Sequence, residues 1–172
     1  MRCLMICLSL AMAACTQAAP SIPDEAGLPS AAIRAFQSHV AQMSEGRLDC
    51  SAAQINAAPH LAADLNEDSR TDYVLDAARL DCQLRPGFWD DNYFCGLNIC
   101  AFPLLVSEGE TWRVITLMSG NAVELAEHYR ETRVRVSQGN FGILGGDLVQ
   151  VREYAWRDGQ LRRIAERQES PA

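Results

Sequence analysis

The chain contains no lysine. All 15 cationic side chains among its 172 residues are arginine, set against 22 acidic ones, for a formal charge of −7 and an isoelectric point near 4.9. This deficit of positive charge argues against a nucleic-acid face, which must neutralise phosphates, and against a polybasic membrane contact; cations and basic proteins stay open as partners. Apolar runs are short, and none reaches the roughly 20 residues of a membrane span. His39, His60 and His128 are scattered with no HExxH spacing, and the seven cysteines form no CxxC pair. No GxSxG is present, and Gly142-Ile143-Leu144-Gly145-Gly146 lacks the Lys and Ser or Thr of a phosphate-binding loop. With no nucleophile–base constellation standing out, the chain reads as non-enzymatic. No period of 20 to 50 residues repeats, which argues against propellers and solenoids.

What is present is an ordinary globular composition, 48% hydrophobic and 22% charged, in a length that suits one domain. Residues 1–15 read as a secretory signal: Met1-Arg2 gives a positive start, Cys3 to Met12 an apolar run, and Ala13-Ala14-Cys15 a small-residue close. The close resembles a bacterial lipobox, which implies lipidation at Cys15, although Met12 stands where Leu is usual; ordinary cleavage nearby is the alternative. Residues 16–28, carrying Pro20 and Pro23, read as a tether, residues 29–168 as a single domain, and residues 169–172 as a disordered tail. The expected location is therefore the periplasm or cell envelope.

Export changes how the remaining cysteines are read. Cys50, Cys82, Cys95 and Cys100 are an even set in an oxidising compartment, which favours two disulfides. Cys95 and Cys100 are close enough to staple Gly96 to Ile99, which would leave Cys50 with Cys82, but four cysteines allow three connectivities.

Periodicity predicts a helix over Pro29 to Met43, where Ile33, Phe36, Val40 and Met43 recur at three- and four-residue steps, with Ser30 as its cap and Gly46 after its end. Strands follow from about Leu61. Tyr73 to Leu80 is apolar-rich, Phe102–Val106 and Trp112–Met118 flank a Ser107-Glu108-Gly109-Glu110 turn, and Arg133–Val136 alternates. Leu148–Trp156 and Leu161–Ala165 flank Asp158-Gly159, a hairpin-turn dipeptide. Asn121 to Tyr129 reads as a short helix from Asn121 and Glu124 in capping-box spacing. The expected fold is α+β, an N-terminal helix packed on a mainly antiparallel β-sheet of about five to six strands.

One stretch carries chemistry. In Asp64-Leu65-Asn66-Glu67-Asp68-Ser69-Arg70-Thr71-Asp72, oxygen-bearing side chains fall at positions one, three, five and nine, the spacing by which a tight loop turns them around a hard cation. Calcium takes six to eight oxygens from carboxylates, amides, peptide carbonyls and water. Asp64, Asn66, Asp68 and Asp72 would give side-chain oxygens and Arg70 its backbone carbonyl. The alternative is a solvated acidic turn, since Asn, Asp and Ser form turns unaided and Arg70 can offset part of the charge. Four carboxylates within nine residues repel one another in an empty loop.

The run resembles the DxNxDGxxD calcium loop of EF-hands, dockerins and FG-GAP or VCBS-type β-hairpin loops, and Asp64 to Val74 looks most like the last. Leu75 replaces the Glu an EF-hand uses at position twelve. With Phe94-Cys95-Gly96-Leu97-Asn98-Ile99-Cys100, residues 58 to 116 are similar to a group of uncharacterised exported bacterial proteins with one such loop and an FCGxxxC staple. The resemblance implies an envelope protein that binds Ca2+ in a strand-loop-strand setting and supplies no catalytic residues. Ser69 departs from the Gly of position six, where the backbone is left-handed, and should lower affinity at a cost of about 1 kcal/mol. A second reading is a periplasmic protein-binding or inhibitor module using the aromatic cluster at residues 88–94, with Trp89 and Tyr93 as its contacts and an envelope protein as partner.

Overall fold

The computed structural model describes residues 27–80, 82–84, 93–96, 99–129, 131–139 and 148–170. The expected signal segment 1–15 with Cys15, nearly all of the tether, Gly142 to Gly146, Trp89 and the last two residues of the tail lie outside the described residues.

Helix α1 (Ser30–Met43) buries Ala32, Ile33, Phe36 and Val40 on one face, as the three- and four-residue spacing requires. Its cap is Pro29, and no side chain caps it, so Ser30 is the first helical residue rather than the cap. The chain leaves the helix through Glu45 and Gly46, both at positive φ, with the Gly46 N–H donating to Ala41 O at 2.7 Å. Strand β1 (Leu48–Asp49) leads into a helix the sequence reading omitted, α2 (Ala52–Ala57). Six residues are too few to show a period, but Ser51 and Gln54 form a full capping box, and Ile55 is completely buried.

Strand β2 (His60–Ala63) pairs antiparallel with β3 (Asp72–Leu75), from His60↔Leu75 to Ala63↔Asp72, so residues 64–71 are a hairpin loop. A 3-10 turn (Ala77–Arg79) follows, ending the strand earlier than the apolar run to Leu80 suggested. Strand β4 (Gln83–Leu84) pairs with β1. The short β5 (Cys95–Gly96), β3 and the long β7 (Thr111–Gly120) all pair with β6 (Ile99–Glu108), completing a five-stranded antiparallel sheet. The β6–β7 register slips between Phe102 and Leu104, where Pro103 has no N–H to give the ladder.

Strands β8 (Ala122–His128), β9 (Glu131–Gly139), β10 (Val149–Arg157) and β11 (Gln160–Glu169) form a second, four-stranded antiparallel sheet in sequence order. The predicted helix over Asn121 to Tyr129 is β8, with Val123 and Leu125 packed against a core as an alternating strand demands. Asn121 does not cap a helix: its Oδ1 accepts from Gly139 N at 2.7 Å and its N–H donates to Ser137 O. Beside it, a Cβ on Gly120 would lie 2.6 Å from Ser137 O, so glycine is what lets the chain cross from one sheet to the other. Asp158 and Gly159, at φ 51° and 72°, make the β10–β11 hairpin turn. Strand β11 includes Glu169, one residue past the expected end of the domain.

The coarse expectation of a helix on antiparallel sheet holds, but there are two main sheets and more strands than the five or six expected. The layers are helices, five-stranded sheet, four-stranded sheet. Tyr73, Leu75 and Leu105 face Phe36 and Ile55 in one core; Val74, Phe102, Leu104, Val106 and Met118 face Val134, Val136 and Tyr154 in the other. Among the described residues no helix is long and apolar enough to cross a membrane.

Alternating with the inward Val134 and Val136, Arg133 and Arg135 point to the outer face of the second sheet. There Glu124, Arg135, Glu169, Arg167, Glu153, Arg133, Glu131 and Arg157 form one chain of ion pairs with alternating sign. Hydrogen bonds from Arg167 and Arg133 hold the Glu153 carboxyl below its usual range, and those from Arg157 and Arg133 do the same for Glu131. A depressed folded pKa gives stability that is fully present above the unfolded value, about 4.3, and lost as pH falls through the folded value. Glu153→Gln is expected to cost roughly 1–2 kcal/mol at pH 7, and urea midpoints of variant and wild type should converge below about pH 4. A gap that persists undiminished at pH 3 would show that the ion pairs are not its source.

Candidate functional site

The hairpin loop between β2 and β3 turns on two left-handed residues, Glu67 at φ 62° and Ser69 at φ 65°. Position six therefore has the conformation the motif calls for, adopted by a serine. Asp64 Oδ1 accepts from Asp68 N and Oδ2 from Ser69 N at 2.8 Å; Asn66 Oδ1 also accepts from Asp68 N. Asp68 Oδ1 accepts from Arg70 N. The side chains at positions one, three and five thus fold over the same few peptides, with Asp64 and Asp68 exposed at the rim.

Asp72 does something else. It is fully buried at the base of the loop. Its Oδ2 accepts from Leu65 N and Asn66 N, and its Oδ1 from Ser107 N at 2.8 Å and Ser107 Oγ at 3.0 Å. The residue assigned from sequence as a fourth side-chain ligand thus buckles the loop to the end of β6. Burial pushes its carboxyl up from the usual range, while the four hydrogen bonds pull it back.

Ser107, also fully buried, is the residue sequence reasoning missed. The sequence pattern places it in a hairpin turn, and it stands 35 positions from Asp72 with no local signal linking them. Besides serving Asp72, its carbonyl accepts from Asn66 Nδ2 at 2.6 Å, and its Oγ lies 3.1 and 3.0 Å from the two oxygens of Asp68. That hydroxyl has one proton and three carboxylate oxygens around it.

Arg70, the one basic residue of the loop, does not neutralise the acids. Its guanidinium lies over the ring of Trp112, 5.8 Å from the centroid. Among the described residues, none of Asp64, Glu67, Asp68 and Asp72 is in an ion pair. Nor, among those residues, do three or more His, Cys, Asp or Glu side chains gather into a metal-holding group. The oxygen set at the loop is mixed: two carboxylates and an amide at positions five, one and three, with peptide carbonyls. Such a set fits a hard cation that keeps water ligands and does not fit zinc.

The cysteines pair as Cys50–Cys82 and Cys95–Cys100, one of the three connectivities open from sequence. Tyr93, expected as a partner contact, is engaged within the fold. Its hydroxyl donates to Met43 O at 3.0 Å, and its ring packs edge-on against Phe94.

The chain matches no known family, no curated protein and no solved structure. The likeness to calcium-loop proteins thus rests on its own residues.

Replacing Asp72 by Asn sets its amide N–H2 against backbone donors whichever way it faces, Leu65 N and Asn66 N on one side or Ser107 N on the other. The expected loss is about 2–3 kcal/mol at pH 7, read from urea unfolding. An unchanged midpoint would mean that Asp72 does not buckle the loop.

Proposed function

We propose that this chain is an exported, non-enzymatic bacterial envelope protein whose β2–β3 loop takes a structural calcium ion. Asp64, Asn66 and Asp68 give side-chain oxygens and Arg70 its carbonyl, while Asp72 and Ser107 hold the loop on the five-stranded sheet. A bound calcium ion supplies two positive charges to a loop whose one basic side chain, Arg70, lies over Trp112.

The observation that carries this reading is the charge balance. The alternative, a solvated acidic turn, relied on Arg70 to offset the carboxylates, and Arg70 is instead over Trp112. Four acids in nine residues without an ion-pair partner among the described residues are a standing repulsion that a divalent cation relieves. Export is supported by the leader-like residues 1–15 and by two disulfides, which persist in oxidising compartments. Cys15 is then either a lipid anchor or a residue near ordinary cleavage.

Thermal unfolding of the oxidised protein in EDTA, then in millimolar calcium or magnesium, tests the loop. A ligand at 100 times its dissociation constant adds about 2.7 kcal/mol, which at this size raises Tm by about 5–10 °C. The rise should be selective for calcium, disappear in Asp64→Asn with Asp68→Asn, and occur at lower calcium in Ser69→Gly. Absence of any calcium-dependent rise in both wild type and Ser69→Gly would overturn the assignment.

A further inference from the structure

Trp112, at the start of β7, lies directly across from Ser107 at the end of β6. Opposed residues of an antiparallel pair project to the same face of the sheet, so the two side chains stand next to each other at the base of the acidic loop. They receive charges of opposite sign. Ser107 Oγ lies 3.1 and 3.0 Å from the two oxygens of Asp68, and the Trp112 ring takes the Arg70 guanidinium, 5.8 Å from its centroid. Other contacts fix the ring. It packs against the helix-side core, and its centroid is 5.8 Å from that of Tyr73, which is 8% exposed and meets His60 edge-on at 5.5 Å.

Arg70 has an alternative close at hand. It is exposed, two positions from Asp68 and two from Asp72, and its own N–H already donates to Asp68 Oδ1 at 2.9 Å. A guanidinium on so long a stem can turn back on the carboxylates of its own loop, which attract it. Surface ion pairs and surface cation–π contacts are of similar strength, so a well-placed ring is enough to decide between them. Arg157, which feels the charge of Glu67, is bonded instead to Glu131.

We propose, resting on the reading of the β2–β3 loop as a calcium site, that Trp112 is a positioning residue for that site: its ring holds the Arg70 guanidinium off the carboxylates. The loop then offers the Arg70 carbonyl as a ligand without the Arg70 charge as a competitor. Without the ring, the guanidinium turns to the acids and opposes an incoming cation. At roughly 6 Å in water, repulsion between a unit charge and a divalent ion corresponds to about a tenfold change in affinity, and physiological salt brings this to about threefold. A role in packing alone forecasts something different: loss of the ring lowers stability equally with and without calcium, and the charge at position 70 is irrelevant.

Calcium titrations by calorimetry on the oxidised full chain compare wild type, Arg70→Ala, Trp112→Leu and the double variant. Alanine keeps the carbonyl at position 70 and removes the charge. Trp112→Leu should weaken calcium binding by about threefold to tenfold, while Arg70→Ala and the double variant should bind at least as tightly as wild type. In EDTA, NMR should find the Arg70 side-chain protons shifted upfield by the ring in wild type and released from that shift in Trp112→Leu. Should Trp112→Leu not fold, Trp112→Phe keeps a ring in the core with a weaker π face, and its smaller loss of affinity must likewise vanish with Arg70→Ala. Equal affinity with and without the indole, a loss that Arg70→Ala does not reverse, or unshifted Arg70 protons in wild type would each overturn the proposal while leaving the loop a calcium site. No calcium binding in wild type, Arg70→Ala or Ser69→Gly would overturn the calcium reading itself, and this proposal with it.

Discussion

A strand buried on both faces constrains everything that touches it, and β6 is that strand. Leu105 must serve the helix-side core while Phe102, Leu104 and Val106 serve the core between the sheets, and all four are at most 2% exposed. An alternating polar row is impossible there, so the segment reads as a continuous apolar run. Each partner of β6 inherits a task from this. Strand β3 repeats the division with Val74 on one side and Tyr73 and Leu75 on the other, and β7 has to bend away at Gly120 to begin the second sheet.

The same constraint explains the acidic loop's base. Where β6 ends, its last buried residue is polar: Ser107 still has a backbone N–H, a carbonyl and a hydroxyl to satisfy away from water. Asp72 and Asn66 meet these groups, at the cost of bringing an ionisable side chain into a site that is closed to solvent. The carboxylate is well bonded and still energetically disfavoured relative to water, which is why burial dominates its pKa. The loop above it adds more negative charge, and its own Arg70 turns to the Trp112 ring. A hairpin tip that needed only to reverse the chain would be served by two residues, as at Asp158-Gly159; eight residues from Asp64 to Thr71 make up this one.

Legibility in the sequence followed the range of the interaction. α1, the β6–β7 hairpin and the β10–β11 hairpin are set by local periodicity and turn residues, and each was readable. Helix α2 rests on one anchor, Ile55, and was readable only from the Ser51–Gln54 capping box. In Asn121 to Tyr129, local capping chemistry pointed to helix and lost to tertiary pairing, because Asn121 has a better use on Gly139. The acidic run stands out from its spacing alone as an oxygen-rich loop between two strands. Its support does not: Ser107 is 35 residues from Asp72, and the stacking of Arg70 on Trp112 spans 42 positions of chain that no local rule relates. Division of one strand set into two sheets was likewise hidden, since every strand alternates the same way whichever layer it faces.

The acidic loop and the Cys95–Cys100 bridge lie at opposite ends of β6. From Cys100 to Ser107 the strand advances seven residues, about 24 Å at roughly 3.4 Å each. The Debye length at physiological salt is about 8 Å, so the charge of the loop is screened from the bridge. Any coupling between the two ends would have to run through β6 as a body, and β6 is packed on both faces with no room to shift register without moving every core side chain it carries.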